Sequence, residues 1–321
     1  MHLKSNSGQE IDGTVMVLSS WVIEMKESKE TISAVRRMQE YIMAHHGEEI
    51  TLEQLAKAAM YSPWHALRAF GRLTGKTPFE YLRAVRLTEA AKKLRDTDRS
   101  VLDIALEAVF GSHEGFTKAF SREFAISPMR YRRQAPPIPF FSYYPAGYSR
   151  VCHERRDNTM TSSVIFTQII ERPARKLIIK RGVKAQEYFA YCEEVGCDVW
   201  GILESVKDAL YEPIGLWLPE GMRPSGTSEY CQGVEVPSDF KGEIPEGFEL
   251  MELPPCEYMV FQGEPFADEN FEEAIYLVWD AIKRYDPKPY GWEFAPEAGP
   301  RFQLAPVGAR GYIEGRPVRK L

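Results

Sequence analysis

The feature that constrains this chain most is a pair of short helices that occurs twice between residues 31 and 133. In the first pair, Thr-Leu-Glu-Gln at residues 51–54 forms a capping box, which predicts a helix over 51–60. Ser-Pro at 62–63 then caps a second helix over 64–73. Two helices joined by so tight a turn predict a helix-turn-helix unit.

The second pair follows the same order farther along the chain. Short helices are predicted over 101–108 and 113–124, and Phe-Gly-Ser at 110–112 turns the chain between them. Between the two pairs, apolar residues recur at helical spacing over 79–94 and predict one longer helix. A helix of that length spans about 24 Å before its flanking helices are added, and half-sites on one face of B-DNA lie about 34 Å apart. One chain could thus address two successive major grooves of double-stranded DNA.

The second helix of each pair would carry the side chains that read the DNA. Helical spacing sets a polar side opposite Phe70 in the first and opposite Phe116 and Phe120 in the second. Arg68 has the paired donors that suit guanine, and Glu114 can accept from cytosine. The predicted DNA-binding residues are Trp64, His65, Arg68, Arg72, His113, Glu114, Thr117, Lys118 and Arg122, with Arg72, Arg83, Arg86 and Arg122 as phosphate contacts. Each of them alone is typical of a solvated helix face, and the doubled unit is what favours a function.

Charge is unevenly distributed along the chain. Residues 29–134 hold 18 Lys and Arg against 13 Asp and Glu, a net +5, whereas 135–321 hold 20 against 29, a net −9. A basic segment fused to an acidic one favours contact of the first with a polyanion. The cysteines form no Cys-x-x-Cys pair and the histidines no His-Glu-x-x-His motif, so neither a metal nor a cofactor is predicted. The apolar run at 15–23 is too short to span a membrane, so we expect a cytoplasmic protein without membrane contact.

The chain changes from helical to strand-like patterns after residue 134. Four prolines within residues 135–161 predict a linker, and residues 1–30 are interpreted as an N-terminal extension without assigned structure. The predicted fold therefore has two domains. The first is an all-α double helix-turn-helix domain over 31–134, and the second is an α+β domain over 162–321.

The spacing of matching residues in the strand-rich part indicates an internal repeat. Gly182 and Gly263 are 81 residues apart, and Tyr230 and Tyr312 are 82 apart, each within a similar succession of strands and a helix. This spacing predicts a duplicated β-α-β-β unit in which both copies share one sheet. A groove would then lie along the pseudo-twofold axis.

Four strings of the helical part carry a family resemblance. They are Gly-Lys-Thr-Pro-Phe-Glu-Tyr-Leu-Arg at 75–83, Asp-Ile-Ala-Leu-Glu-Ala-Val-Phe-Gly-Ser at 103–112, His-Glu-Gly-Phe-Thr-Lys-Ala-Phe at 113–120 and Ser-Pro-Met-Arg-Tyr-Arg at 127–132. Residues 31–133 thereby resemble the AraC/XylS family of bacterial transcription regulators. The resemblance implies a non-enzymatic, sequence-specific regulator that binds promoter DNA and meets RNA polymerase. This chain departs from the family where Val109 and Ala125 replace the glycines that are usual at two turns.

The strand-rich part carries a second, looser resemblance. Its strings are Gly-Leu-Trp-Leu-Pro at 215–219, Glu-Tyr-Cys-Gln-Gly-Val-Glu-Val at 229–236 and Gly-Tyr-Ile-Glu-Gly-Arg-Pro-Val at 311–318. With the duplicated layout, they resemble the GyrI-like effector-binding domain, which implies sensing of a lipophilic, often cationic small molecule, as in multidrug sensing. The predicted effector-binding residues are Trp200, Trp217, Tyr230, Trp279, Trp292, Tyr312 and Glu314.

The last strand supplies the chemical argument for a cation. Alternation along a strand sets Tyr312 and Glu314 on one face, and a carboxylate beside aromatic rings suits a delocalised cation. Each aromatic residue alone is typical of core packing, and Glu314 could instead pair with Arg316 at the surface. Two other functions stay open for this part: hydrolysis of small electrophiles, with Glu314 as base and Tyr312 as positioner, or binding of a protein partner.

Overall fold

The computed structural model describes residues 28–143, 146 and 164–321 of the chain. Most of the predicted N-terminal extension lies outside the described residues, and so does the predicted linker beyond residue 143, apart from residue 146. The described part folds into a helical unit followed by an α+β unit with one antiparallel sheet. The division into helical and strand-rich halves is therefore as the sequence predicts.

Seven helices form the helical unit. They are α1 (Lys29–His45), α2 (Leu52–Ala59), α3 (Pro63–Thr74), α4 (Pro78–Asp96), α5 (Val101–Glu107), α6 (His113–Phe124) and α7 (Pro128–Gln134). The five helices predicted from α2 to α6 are confirmed, each end within two residues. All seven begin at a Ser or Thr whose side chain accepts a backbone N–H of the first turn. Because these caps are local, the sequence alone locates the helix starts.

Helix α4 is shared by two hydrophobic cores. Its Tyr81, Leu82 and Val85 pack into the first core, with α1, α2 and α3. Its Leu87 and Leu94, two and nine residues after Val85, pack into the second core, with α5, α6 and α7. The two helix-turn-helix units therefore cannot turn independently without breaking the packing of the same helix.

Four residues other than glycine in the helical unit have the left-handed backbone conformation: Met60, Val109, Ala125 and Ala135. Val109, between α5 and α6, has φ of 59°, and Ala125, after α6, has φ of 55°. These are the two positions at which the family resemblance expects glycine. A side chain with a Cβ is strained in this region, because Cβ approaches the backbone carbonyl oxygen. The turns are thus retained despite an unfavourable residue, since the packing on both sides holds them.

We expect Ala125→Gly to raise the free energy of unfolding by about 0.5–1 kcal/mol, because relief of the left-handed strain exceeds the entropy that glycine adds to the unfolded chain. Chemical denaturation of the full chain measures this. The matched control is Ala119→Gly in the middle of α6, which should lower the same quantity by about 1 kcal/mol. A loss of stability in both variants would show that Ala125 is not strained.

Three helices and nine strands form the α+β unit. The strands are β1 (Phe166–Arg172), β2 (Arg175–Arg181), β3 (Ile214–Trp217), β4 (Tyr230–Pro237), β5 (Glu249–Leu253), β6 (Cys256–Gln262), β7 (Trp292–Phe294), β8 (Arg301–Leu304) and β9 (Ile313–Lys320). The helices are α8 (Tyr188–Val195), α9 (Val199–Glu204) and α10 (Phe271–Arg284). The strands form one sheet in the order β1-β6-β9-β8-β3-β4-β2-β5, with β7 added to β9. Every adjacent pair is antiparallel.

The two faces of the sheet bury different clusters. On one face, Ile178, Tyr230 and Val234 pack with α8 and α9, whereas Phe261 and Tyr312 pack with α10. The opposite face buries a third apolar cluster that includes Leu177, Leu216, Tyr258, Val260 and Phe302. Since directly paired residues share a face, the central strands bring a row of side chains to the space between the two groups of helices.

The start of the predicted linker packs between the two units. Ile138 and Phe140 are buried in the second core of the helical unit. The backbone of the same segment lies on α9, where the Ile138 N–H donates to Ser205 Oγ at 2.8 Å. At Gly201, an added Cβ would lie 1.9 Å from the Phe140 carbonyl oxygen, so only glycine permits this approach. Helix α9 therefore rests directly on the chain that leaves the helical unit.

Charged groups extend this contact to α4. Lys92 Nζ lies 2.8 Å from a Glu204 carboxylate oxygen, and Arg95 donates to the Glu204 carbonyl oxygen at 3.0 Å. The Arg95 side chain is also close to the Phe140 ring, at 5.6 Å from its centroid. Both cations come from the last turns of α4, the helix that carries the two helix-turn-helix units. The α+β unit is thus fastened to the connecting helix through α9.

We expect Gly201→Ala to make the two units unfold at different temperatures, because the added methyl group would clash with the Phe140 carbonyl oxygen and weaken the contact between the units. Differential scanning calorimetry of the wild-type chain should show one cooperative transition, and the variant should show two. Gly221→Ala is the control, since a Cβ at that position meets nothing within 4 Å. Identical single transitions in wild type and both variants would contradict the role given to Gly201.

Candidate functional site

Helix α3 presents one exposed polar side. Trp64 is 69% exposed, and His65, Arg68 and Arg72 are exposed with it. The His65 ring stacks on Tyr61 with centroids 4.1 Å apart, which orients the imidazole at the start of the helix. On the opposite side, Ala66, Ala69 and Phe70 are buried in the first core, as the helical spacing predicts.

Helix α6 has the same arrangement. Its exposed side contains His113, Glu114, Lys118 and Arg122, and Thr117 is partly buried beside them. The opposite side buries Phe116, Phe120 and Phe124 in the second core. The Thr117 hydroxyl is shielded from solvent and has no hydrogen-bond partner within the described ranges.

Three basic side chains of these two surfaces, Arg68, Lys118 and Arg122, have no ion-pair partner among the described residues. Elsewhere on the same unit, Lys92, Lys93 and Arg99 are paired with glutamates. Cations without internal counterions, on two exposed helices, are what a polyanion such as DNA requires.

The structure does not support Arg86 as a phosphate contact. Its Nε donates to the His46 carbonyl oxygen at 2.8 Å and its Nη2 to that of Glu48 at 2.6 Å. Arg86 thereby caps the end of α1, and partial burial lowers the pKa of its guanidinium. Arg83, three residues earlier on α4, is exposed as predicted. The sequence pattern could not separate the two, because both lie on the polar side of one helix.

A second candidate site lies at the centre of the sheet, on the face that carries the helices. It is a cluster of side chains that we call the central groove, and it consists of Trp217, Tyr230, Trp279, Arg301, Gln303, Tyr312, Glu314 and Arg316. Strand pairing sets Trp217 opposite both Tyr230 and Arg301, and Gln303 opposite Glu314. Four of the predicted effector residues other than Glu314 meet here, namely Trp217, Tyr230, Trp279 and Tyr312.

Glu314 is the centre of the groove's hydrogen bonds. Its side chain is fully buried, and its Oε2 accepts from Trp279 Nε1 at 2.7 Å and from the Tyr312 hydroxyl at 2.9 Å. The Tyr312 hydroxyl also lies 3.0 Å from Gln303 Oε1. Burial, followed by the charge of Glu314, raises the pKa of Tyr312 well above its usual value. The tyrosine is therefore a neutral donor that holds the carboxylate in place.

The carboxylate is already neutralised by the chain itself. Arg301 Nε lies 2.8 Å and Arg316 Nε 2.7 Å from Glu314 Oε1. The Arg301 guanidinium stacks 3.9 Å from the Trp217 ring centroid and lies 5.6 Å from that of Trp279. The sequence argument for a cationic ligand assumes an unpaired Glu314, and the structure instead places Arg301 where such a cation would bind.

Two of the predicted effector residues lie elsewhere. Trp200 lies on α9 and lines a cavity of about 320 Å³ together with Arg95 and Tyr211, at the contact with the helical unit. Trp292 begins β7 and is paired with Lys320, six residues beyond Glu314 and so about 20 Å along β9. Arg301 is not among the effector-binding residues predicted from the sequence, because its position beside Glu314 and Trp217 depends on the register of β8 against β9 and β3.

In the described ranges, no group of three His, Cys, Asp or Glu side chains is arranged to hold a metal ion. Over the same residues, no helix combines the length and the apolarity needed to cross a bilayer.

Comparison with known proteins addresses the helical unit. A family model described as a helix-turn-helix domain matches residues 55–134. The right origin-binding protein of Escherichia coli K12 is 40% identical over 99 residues, which cover 31% of this chain and 34% of that protein. The regulatory protein SoxS of Salmonella typhimurium is 35% identical over 100 residues, which cover 31% of this chain and 94% of SoxS. This chain belongs to the AraC family of regulators.

Structural comparison gives a short match over the same extent. A crystal structure from Chromobacterium violaceum, described as a transcriptional regulator with an AraC-type DNA-binding domain, is 25% identical, covers 32% of this chain and 90% of that one, and has a TM-score of 0.31. The chain spans about a third of the length of the right origin-binding protein. Membership of the AraC family identifies the helical unit, α1 to α7, as a DNA-binding domain. The matches to these relatives cover about a third of the chain, so the central groove is interpreted from its own geometry.

We expect Arg68→Ala to weaken binding to a selected DNA site by about 1–3 kcal/mol and to relax specificity at one base pair, because a paired contact to guanine is lost. Arg122→Ala should weaken binding evenly on all sequences and reduce the slope of log affinity against log salt by about one. Titrations of both variants on specific and random DNA measure the difference. Equal losses on all sequences for Arg68→Ala would remove it from the base-reading residues.

Proposed function

We propose that this protein is a sequence-specific DNA-binding transcription regulator whose α+β unit senses a small lipophilic effector. The observation that carries the first half is the pair of exposed helices, α3 and α6, fixed on the two halves of α4. Its DNA partner would be a promoter or operator, and RNA polymerase would be the protein partner in the cytoplasm. The residues proposed to contact DNA are those predicted from the sequence, without Arg86.

The sheet order supports the duplication that the sequence predicts. Outward from the β8–β3 contact, one half reads β8-β9-β6-β1 and the other reads β3-β4-β2-β5. In chain order, β2, α8 with α9, β3 and β4 then correspond to β6, α10, β8 and β9. We therefore assign a duplicated β-α-β-β unit of the GyrI-like kind, with β1 and β5 as matching edge strands. The central groove lies on the axis that relates the two copies.

The groove has the composition of a small-molecule site. Trp217 from one copy and Trp279 from the other are partly exposed and contribute aromatic walls, whereas Tyr230 and Tyr312 are fully buried. Their rings surround a few polar groups that would fix a ligand's orientation. Residues from both copies thus meet at one place, and a ligand bound there would change the relation between the two halves of the sheet.

A path from the groove to the DNA-binding domain passes through α9. Tyr230 packs in the same cluster as Val199 and Leu203 of α9. From the other side of α9, Gly201 and Glu204 contact the helical unit. An effector that favours one position of Tyr230 would favour one docking of α9, and so would change how α3 and α6 meet DNA.

Hydrolysis by this groove is disfavoured. A general base needs a lone pair within reach of water or substrate, whereas Glu314 is fully buried, its Oε2 accepts from Trp279 and Tyr312, and its Oε1 lies against the guanidinium groups of Arg301 and Arg316. Tyr312 is neutral and donates to the same carboxylate. The groove is therefore better suited to holding a ligand than to activating water.

We expect naphthalene derivatives to stabilise the full chain saturably in thermal-shift titrations, to be recovered unchanged, and to alter its affinity for selected DNA. Trp279→Phe should weaken that binding about tenfold, because Glu314 loses a donor and the wall becomes smaller. Trp292→Phe is the control outside the groove and should bind like wild type. Consumption of the compound would indicate catalysis instead, and the absence of any stabilisation would favour a protein partner.

A further inference from the structure

We propose that the central groove selects an aromatic anion, and that Arg301 is the residue that determines this charge preference. The inference rests on the proposed sensing function and names the class of effector. The ligand class is a flat aromatic or fused-ring carboxylate or sulfonate. Its ring would contact the groove tryptophans, and its anionic group would meet the two guanidinium groups.

The charges of the groove leave a positive surplus. As defined above, the groove holds one carboxylate, Glu314, and two guanidinium groups, from Arg301 and Arg316. Both approach the same carboxylate oxygen, Oε1. The net charge of the three is +1, so an anionic ligand brings the site to neutrality. A cationic ligand would raise it to +2 in a partly desolvated space, which is unfavourable.

Hydrogen bonding shows the same surplus. Each guanidinium carries five N–H donors, whereas a carboxylate has about four lone-pair positions. On Glu314, Oε2 accepts from Trp279 Nε1, the Tyr312 hydroxyl and, at 3.1 Å, Arg301 Nη2. Among the described residues, Oε1 and the Nε atoms of Arg301 and Arg316 form no well-directed hydrogen bond, so the two arginines retain N–H groups that Glu314 does not accept. The oxygens of a ligand carboxylate would supply the missing acceptors in a paired geometry.

The arginines are accessible where the carboxylate is not. The Arg301 and Arg316 side chains are 23% and 30% exposed, while Glu314 is 0% exposed. A ligand approaching from solvent meets the guanidinium edges first. Burial lowers the pKa of Arg316, the charge of Glu314 partly offsets this, and the charge of Arg301 lowers the pKa further, so an added anion would stabilise the charged guanidinium.

Arg301 also occupies the position that a ligand cation would need. Its guanidinium plane lies over Trp217 at 3.9 Å and within 6 Å of Trp279, both within the range of cation–π attraction. A cationic aromatic compound would have to displace this group from its two rings and its carboxylate. An anion can bind to Arg301 without displacing it. The Arg301 guanidinium thus disfavours cationic aromatic ligands and favours anionic ones.

The test uses three probes of similar shape: naphthalene-2-carboxylate, naphthalene-2-carboxamide and 2-naphthylmethylammonium. Isothermal titration of the full chain should show the carboxylate binding about tenfold or more tightly than the ammonium compound, because a charge-assisted pair is gained in one case and a repulsion in the other. Arg301→Gln keeps much of the side-chain length without the charge, and should shift this ratio about tenfold toward the cation. Arg301→Lys keeps the charge and should retain the anion preference.

Arg319→Gln is the matched control. Arg319 is on the same strand as Glu314 but pairs with Glu293 and Glu297 outside the groove, so its removal should leave the ratio unchanged. Equal binding of all three probes would overturn the charge preference while leaving sensing of aromatic compounds intact. Tighter binding of the ammonium probe to wild type would also overturn it. Binding of none of the three would overturn this inference and the sensing function together, but not DNA binding.

Discussion

The packing of helix α4 into two cores at once is the constraint on which the rest of the molecule depends. Its first half is buried with α3 and its second half with α6, and its 19 residues span about 28 Å. A helix held by apolar side chains at both ends is a rigid spacer, so the separation of the two recognition helices is a property of the fold. The α+β unit is fastened to the last turns of this helix, so the signal that we propose for the central groove would reach the DNA-binding surface through α4.

The local parts of this architecture could be predicted because their causes are local. The side chains of Thr51 and Ser62 cap helices by accepting the backbone N–H of the residue three positions later. The order of capping and helix-breaking residues in the sequence therefore predicts where these helices begin. The buried side of each recognition helix follows from helical spacing. Two of the four left-handed positions, Val109 and Ala125, could be located in advance because the family resemblance expects glycine there, whereas Met60 and Ala135 could not.

What could not be predicted depends on contacts between distant residues. Gly201 is indistinguishable from any other helical glycine until Phe140, 61 residues earlier, is found against it. Arg86 appears as an exposed cation until the end of α1 is found within its reach. Strand alternation correctly joins Tyr312 to Glu314, but the opposing arginine comes from β8, and only the register of the sheet shows that Arg301 fills the space predicted for a ligand cation. The net charge of the groove therefore depends on contacts between strands that are distant in the sequence, and local patterns cannot predict it.

The most direct measurement of the central claim concerns spacing on DNA. Fragments selected from a random pool by the full chain should contain two contacted segments one helical turn apart, on one face of the duplex. Insertion of five base pairs between these segments should lower affinity by about tenfold or more, because a rigid α4 cannot follow the half-turn rotation, and insertion of ten should not restore it, because the separation then exceeds the reach of one chain. Unchanged affinity after the five-base-pair insertion would contradict the account, since it would mean that the two units bind DNA independently or that only one of them does.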